Sequence, residues 1–279
     1  MSTSRHDDRD WSALSVGQRI RQIEVEGYLV LPDLLSATAI AELKTETARL
    51  ETRAVDYSVH QQVCSEVKFA GTQISRLMAQ PETLAFLQVL FGDEMVMMSY
   101  AYARSEPGHP GISLHADGQP YGSQIFGYEG SCPWLVRVLY YLDDLTLDVS
   151  PFRVVPRSHL SMHADGNPYL RYESHPEEVL VTLRAGSAVL INHRVFHGNA
   201  PNTGERAREM LAIAYRPAWA GPVQEVEEWD ARRVQEQPAD VRHLLSSRNQ
   251  RQWDFEGGNK PAGMAAQAPG INPSRWDLS

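Results

Sequence analysis

Residues 187–216 read SAVLINHRVFHGNAPNTGERAREMLAIAYR, two apolar segments separated by a polar turn. Short apolar runs bounded by Gly, Pro and Asn are typical of buried β-strands, so the sequence predicts strands at 187–192 and 209–216. The turn between them starts after His197 and ends before Arg208. A hairpin of this length would bring the imidazole and the guanidinium close together.

The rest of the chain shows helices first and strands later. Helical periodicity and capping residues predict α-helices at 16–26, 36–52 and 82–91. Apolar or alternating runs predict strands at 28–31, 95–104, 133–143, 152–155 and 179–183. The predicted fold class is mainly β, a double-stranded β-helix (jelly roll) with flanking N-terminal α-helices.

No long low-complexity linker divides the 279 residues, so we predict a single domain over residues 1–279. Within it we expect a helical N-terminal layer at 1–94 and a double-stranded β-helix core at 95–216. An irregular C-terminal wrap, with one helix near 238–247, would complete the domain at 217–279.

Composition argues against several classes of partner. The formal net charge is −9, whereas nucleic-acid-binding proteins carry a basic surface. The apolar runs are too short to span a bilayer. Cys64 and Cys132 form neither a disulfide framework nor a zinc motif. We therefore expect a cytoplasmic monomer or homodimer that acts on a small-molecule substrate and binds neither nucleic acid nor membrane.

A second motif, His115-Ala116-Asp117, supplies an imidazole and a carboxylate. Residues i and i+2 of a strand point to the same side, so both groups can meet at one metal ion with His197. Two histidines and a carboxylate on one face of the metal are the ligand set of non-haem Fe(II) oxygenases. Such an enzyme also needs a cation for a carboxylate co-substrate, and the planar fork of Arg208 suits that role.

Other histidines compete for the metal. His193 lies four residues before His197, and the two would share one face if this segment were helical. The segment reads as a strand, however, and lacks the glutamate of the HExxH zinc motif, so we favour His197. His163-Ala164-Asp165 repeats the first motif but lies much closer to His197 in sequence than His115 does. We favour His115 and interpret the repeat as a surface turn.

The chain resembles the phytanoyl-CoA dioxygenase family of Fe(II)/2-oxoglutarate-dependent oxygenases from about residue 23 to 217. The matching pieces, in order, are Glu26-Gly27-Tyr28-Leu29-Val30-Leu31-Pro32, Glu106-Pro107-Gly108, His115-Ala116-Asp117, Leu142-Asp143-Asp144, Val155-Pro156-Arg157-Ser158-His159, His197-Gly198-Asn199-Ala200-Pro201-Asn202 and Arg208. The sequence departs from the family at Val149-Ser150-Pro151, where Asn-Gly is usual, and at Arg157, which replaces a glycine.

The resemblance implies that His115, Asp117 and His197 bind iron. Relatives that halogenate carbon lack the carboxylate, so Asp117 implies oxygenation, and hydroxylation before other outcomes. The cofactors implied are Fe(II), with 2-oxoglutarate and O₂ as co-substrates.

The resemblance also implies a salt bridge from Arg208 to the distal carboxylate of 2-oxoglutarate. Arg206 shares strand parity with Arg208, and only the family spacing favours the latter. Asn199 lies where the family often has a hydroxyl residue that assists this arginine.

Strand patterns add candidates for the pocket. If the face that carries Tyr102 and Arg104 looks inward, Tyr102 joins the 2-oxoglutarate site and Arg104 contacts substrate. Arg137 interrupts an apolar strand, so it is either buried and paired or a substrate-contacting residue. Gln119 lies in the polar loop 118–132, a candidate substrate lid.

The expected activity is oxidation, by hydroxylation, of a C–H bond in a small or medium-sized metabolite, with succinate and CO₂ as co-products. One alternative is a cupin-type metal-dependent oxygenase or isomerase that does not use 2-oxoglutarate. Another is a non-catalytic jelly-roll binding protein. Arg208 argues against the first alternative, and the complete set of metal ligands and anchor argues against the second.

Overall fold

The computed structural model describes residues 5–115, 135–160, 175–218, 220 and 229–245. The strands within these residues are β1 (Arg5–Asp7), β2 (Tyr28–Leu31), β3 (Arg53–Val55), β4 (Ser58–Cys64), β5 (Met95–Ser105), β6 (Ile112–His115), β7 (Val136–Tyr141), β8 (Phe152–Val154), β9 (Val179–Val181), β10 (Ala188–Asn192), β11 (His197–Asn199) and β12 (Arg208–Pro217). The α-helices are α1 (Val16–Arg21), α2 (Ala37–Thr47), α3 (Thr72–Leu77), α4 (Pro81–Phe91), α5 (Ala231–Gln235) and α6 (Ala239–Leu244).

The strands form two sheets. The major sheet has seven strands in the order β2-β10-β7-β12-β5-β4-β3, and the minor sheet has five in the order β1-β9-β8-β11-β6. Every pairing among these strands is antiparallel except β1 with β9. Two facing, mostly antiparallel sheets confirm the mainly β jelly-roll prediction.

The helices cover the outer face of the major sheet, and three buried tyrosines attach them. The hydroxyl of Tyr100 donates to the carbonyl of Ile74 at 3.0 Å, and that of Tyr215 donates to the carbonyl of Met78 at 2.8 Å. Tyr140 donates to Thr83 of α4 at 2.8 Å. Because side chains alternate along a strand, Tyr141 and its parity mates point to the opposite, inner face.

The inner faces of the two sheets share the main core. Phe152, Val154 and Val181 of the minor sheet belong to the same cluster of buried residues as Leu139 and Tyr141 of the major sheet. The side chains on the inner face of each sheet therefore pack against those of the other sheet.

The N-terminal 94 residues, predicted as a helical layer that contains one strand, supply more strands than the sequence predicts. They supply β1 to the minor sheet and β2, β3 and β4 to the major sheet. Only β2 was predicted, at 28–31. Strands β1 and β3 have three residues each, and β4 is mostly polar, so neither periodicity nor hydrophobicity marks them.

The segment 187–216 differs from the predicted hairpin. Strand β11 follows β10 and pairs with β6 and β8 of the minor sheet, whereas β12 lies in the major sheet between β5 and β7. The polar turn therefore crosses from one sheet to the other. In the C-terminal part, the helix predicted near 238–247 is present as α6, and α5 was not predicted.

Within the described residues, no helix is long and apolar enough to cross a membrane.

Gly111 allows β6 to approach β11 closely. Its φ is +89°, and a Cβ there would lie 2.7 Å from the carbonyl oxygen of Asn199. We expect Gly111→Ala to lower the free energy of unfolding by roughly 1–3 kcal/mol. Gly17→Ala is the control, because a Cβ at this helical position meets nothing within 4 Å. Urea unfolding of both variants checks this, and equal stabilities would contradict it.

Candidate active site

His115 and His197 lie side by side on neighbouring strands. They are cross-strand partners of β6 and β11, and their ring centroids are 4.5 Å apart. Because His197 also pairs with the core residue Val154, it projects from the inner face of the minor sheet. Two imidazoles so placed can bind one metal ion.

The ring of His197 is oriented by contacts that suit a metal ligand. Its Nδ1 donates to the carbonyl of Val195 at 2.9 Å, which in the neutral ring puts the lone pair on Nε2. Its ring stacks on Phe152 at a centroid distance of 6.0 Å. Behind the two histidines, Leu114 and Phe196 pack into a small apolar cluster that supports both strands.

The competing histidine, His193, is held elsewhere. Its Nδ1 and its backbone N–H both donate at 3.2 Å to the carbonyl of Leu135, just before β7 of the major sheet. His115 is therefore paired with His197 and not with His193. Asp117, His163, Asp165 and Gln119 lie outside the described residues. Among those that are described, no third metal-binding side chain joins the pair.

Arg208 is a buried cation at the start of β12. It is 0% exposed, and Nε, Nη1 and Nη2 have no hydrogen-bond partner in the described part of the chain. Its Cζ lies 5.6 Å from the centroid of the Tyr141 ring. Burial lowers the pKa of Arg208, although Tyr141 and Asp143 act in the opposite direction. An unpaired buried charge costs several kcal/mol, roughly, so the geometry favours an anionic ligand there.

The other arginines near this region do not share these properties. Arg206 is exposed in the turn between the sheets. Arg153 lies 3.5 Å from Glu178 in a buried ion pair on the outer face of the minor sheet. The structure therefore favours Arg208 over Arg206 as a carboxylate anchor.

Asn199 connects the histidine strand to the region of Arg208. It lies two residues after His197 on the same face of β11, and its Nδ2 donates to the carbonyl of Ser150 at 3.4 Å. The Ser150 hydroxyl is 2.8 Å from that of Ser105, the cross-strand partner of Arg208. Asn199 and Arg208 also both lower the pKa of Tyr141, which burial raises. The predicted neighbours thus lie in one region between the sheets.

Ser150 and Arg157, the two departures from the family pattern, both have positive φ, at 44° and 67°. Glycine adopts such angles without strain, which explains why glycine is usual at these places. At position 150 the side chain is used, because glycine could not form the contact with Ser105.

The prediction that Tyr102 binds 2-oxoglutarate and Arg104 binds substrate is wrong in this structure. Ser105 shares the face of Arg208, so Tyr102 and Arg104 lie on the opposite face of β5. There Tyr102 donates to Glu209 at 2.7 Å, and Arg104 pairs with Glu106 at 2.7 Å. The alternation of side chains along β5 shows which residues share a face. It does not show which face of the major sheet is the inner one and which is covered by helices.

Arg137 does lie on the inner face. It shares the parity of Leu139 and Tyr141 on β7 and is half-buried. The position is compatible with its predicted contact to substrate.

Two buried polar residues, His109 and Gln61, could not be identified from the sequence. His109 is 1% exposed, and neither ring nitrogen has a hydrogen-bond partner among the described residues. Gln61 is buried on the face of Ser105, its cross-strand partner. Both come from polar or Gly/Pro-rich stretches, and only their burial distinguishes them, together with the effect of the Arg208 charge on His109.

Asn202 holds the loop of His109 against the anchor. Its backbone N–H donates to the carbonyl of His109 at 2.9 Å, and its carbonyl accepts from Gly108 at 2.9 Å. Its Nδ2 donates to the carbonyl of Ser105 at 3.2 Å. This buried asparagine therefore joins the loop after β5 to the turn before Arg208.

Several solved structures share this fold. HygX from Streptomyces hygroscopicus, solved with nickel and 2-oxoglutarate bound, matches with a TM-score of 0.64 at 19% identity, over 79% of this chain and 94% of that one. The α-ketoglutarate-dependent epimerase SnoN from nogalamycin biosynthesis matches with a TM-score of 0.61 at 19% identity, over 75% and 82%. The carbocyclase SnoK from the same pathway matches with a TM-score of 0.59 at 20% identity, over 76% and 87%.

The chain thus has the jelly-roll fold of these three proteins. The sequence model of the phytanoyl-CoA dioxygenase (PhyH) family matches residues 23–210, more than half of the chain. The chain belongs to the phytanoyl-CoA dioxygenase family.

The environment of His109 makes stability depend on pH. Burial, followed by the charges of Arg208 and His60, lowers the pKa of His109 to about 4. In the unfolded protein the imidazole has a pKa near 6.5. Between about pH 6.5 and about pH 4 the unfolded state therefore binds more protons than the folded state. The contribution of neutral His109 to the free energy of unfolding is therefore fully present above about pH 6.5. It is lost progressively as the pH falls towards about 4.

We therefore expect wild type to lose roughly 1–3 kcal/mol more stability than His109→Phe between about pH 7.5 and about pH 5. Urea unfolding at both pH values measures this, because other titrating groups contribute equally to the two proteins. An equal loss in wild type and variant would contradict the assignment.

Proposed function

We propose that this protein is an Fe(II)/2-oxoglutarate-dependent dioxygenase that hydroxylates a C–H bond of a small or medium-sized metabolite, with succinate and CO₂ as co-products. The observation that carries the proposal is the buried guanidinium of Arg208, which has no hydrogen-bond partner among the described residues and lies in the same inter-sheet region as the paired histidines His115 and His197. Membership of the phytanoyl-CoA dioxygenase family supports it.

The residues present fit both groups that this reaction needs. His115 and His197 would hold iron, with Asp117 as the proposed third ligand. Arg208 would hold the distal carboxylate of 2-oxoglutarate through charge-assisted hydrogen bonds, and Tyr141 covers its guanidinium. When bound, the iron with 2-oxoglutarate and O₂ supplies the oxidising power that no side chain has.

The protein itself contributes position and exclusion of water. The Val195 carbonyl and Phe152 fix the ring of His197, so the metal site is oriented before any ligand arrives. The apolar inner faces keep Arg208 in a region of low dielectric, where its attraction for a carboxylate is stronger than in water. Arg137 on the inner face is our candidate for contact with substrate.

Family and fold alone allow other reactions at such a site. SnoN is an epimerase and SnoK a carbocyclase, each α-ketoglutarate-dependent. A cupin-type enzyme would turn over without 2-oxoglutarate, and a binding protein would not turn over at all. The deciding experiment is anaerobic loading with Fe(II), then O₂, with succinate measured with and without 2-oxoglutarate and candidate substrates. Succinate that depends on Fe(II) and 2-oxoglutarate supports the proposal, and its absence under all conditions overturns it.

The metal ligands can be separated from their competitors by substitution. Alanine variants of the proposed ligands should lower iron content and succinate formation by at least about a hundred-fold, because even residues that only orient ligands are worth ten- to a hundred-fold. The proposed ligands are His115, Asp117 and His197. The same measurements on their competitors should change little; these are His163, Asp165 and His193. An active His115→Ala with an inactive His163→Ala would move the site to the second motif.

Arg208 and Arg206 form a matched pair for the anchor. Arg208→Met should weaken 2-oxoglutarate binding about ten-fold to a hundred-fold, because it removes a charge-assisted pair. Thermal unfolding without ligand should show no loss of stability, since the substitution removes a buried charge that has no hydrogen-bond partner among the described residues. Arg206→Met should bind 2-oxoglutarate as wild type does. The reverse result would place the anchor at Arg206.

A further inference from the structure

His109 is a buried imidazole that has no role in the proposed function described above. It lies in the Gly/Pro-rich loop between β5 and β6, and neither ring nitrogen is hydrogen-bonded within the described residues. A buried polar group without a partner is unfavourable, so native proteins rarely keep one unless a ligand or water completes it. What lies around the ring therefore indicates its role.

Among the described residues, the charged groups that act on the imidazole are the cation of Arg208 on β12 and the side chain of His60 on β4. The ring of Tyr57, in the turn between β3 and β4, lies 6.2 Å away at a tilt of 41°. His109 and Arg208 thus both carry nitrogens without hydrogen-bond partners among the described residues. Asn202 links them, because it donates to the carbonyl of His109 and to that of Ser105, the cross-strand partner of Arg208.

We propose that the imidazole of His109 is a second hydrogen-bond donor, beside Arg208, to the distal carboxylate of 2-oxoglutarate. The inference rests on the proposed function and deepens it. A carboxylate can accept about four hydrogen bonds, and a bidentate arginine uses only two of them.

A neutral donor suits this position better than a second cation would. The guanidinium of Arg208 already neutralises one carboxylate, and a protonated His109 would place two positive charges together inside the core. Neutral imidazole carries one N–H, which it can donate without adding charge. The hydrogen bond from the backbone N–H of Asn202 to the carbonyl of His109, with that from Gly108 to the carbonyl of Asn202, holds the loop that carries the ring before the ligand binds.

The test is calorimetric titration of the full-length protein loaded with Ni(II), which binds without turnover. Two ligands are compared: 2-oxoglutarate, and 2-oxopentanoate, which differs only by lacking the distal carboxylate. The variants are His109→Phe, which removes both nitrogens, and His109→Gln, which keeps a donor. His60→Gln is the control, because His60 is exposed beside the same loop.

We expect His109→Phe to bind 2-oxoglutarate about ten-fold to a hundred-fold more weakly than wild type, as for a hydrogen bond to a charged group. Its affinity for 2-oxopentanoate should be unchanged, His109→Gln should recover most of the loss, and His60→Gln should match wild type. Equal losses for both ligands would show a structural role, and an unchanged affinity for 2-oxoglutarate would show no contact. Either result overturns the inference.

The failure of the two proposals is distinguishable. If wild type binds 2-oxoglutarate and Arg208→Met does not, while His109→Phe is normal, only the role of His109 is wrong. If wild type loaded with Ni(II) binds no 2-oxoglutarate, the proposed function falls and the inference falls with it.

Discussion

The charge of Arg208 is the constraint on which the candidate site depends. A guanidinium that is 0% exposed, with three nitrogens lacking hydrogen-bond partners in the described residues, is an unfavourable arrangement for a ligand-free protein. The fold tolerates it because β12 lies at the centre of the major sheet, paired along most of its length with β5 and β7. The packing of these strands stabilises the fold enough to keep the guanidinium away from water. A bound carboxylate would offset the free energy of removing that charge from water.

The two halves of the site come from different sheets. The minor sheet presents His115 and His197 as cross-strand partners, and the major sheet presents Arg208 and Tyr141. The contacts of Ser150 with Asn199 and with Ser105 join the sheets between these groups. A change in how the sheets pack would therefore alter the spacing between metal and anchor, which the length of one co-substrate must match. This explains why a residue other than glycine is kept at position 150 despite its positive φ: the Ser150 hydroxyl makes the contact with Ser105.

Much of the fold could be predicted from the sequence, because apolar runs with clear boundaries mark buried strands. The predicted strands that correspond to β2, β5, β7, β10 and β12 all exist. The pairing of β11 with the minor sheet could not be predicted, since a turn of ten residues is compatible with a hairpin or with a crossing between sheets. Likewise, alternation along β5 shows which residues share a face with Tyr102, but it does not show whether that face meets the helices or the other sheet. His109 could not be predicted, because the sequence of a loop does not show which of its side chains will be buried beside a charged group.

A crystal structure of the protein with Mn(II) or Ni(II) and 2-oxoglutarate would test the candidate site most directly. We expect the metal on Nε2 of His197 with His115 as a second ligand, and the distal carboxylate within hydrogen-bonding distance of the Arg208 guanidinium. A metal bound through His193, or a carboxylate bound at Arg206 with Arg208 still unpartnered, would contradict this expectation.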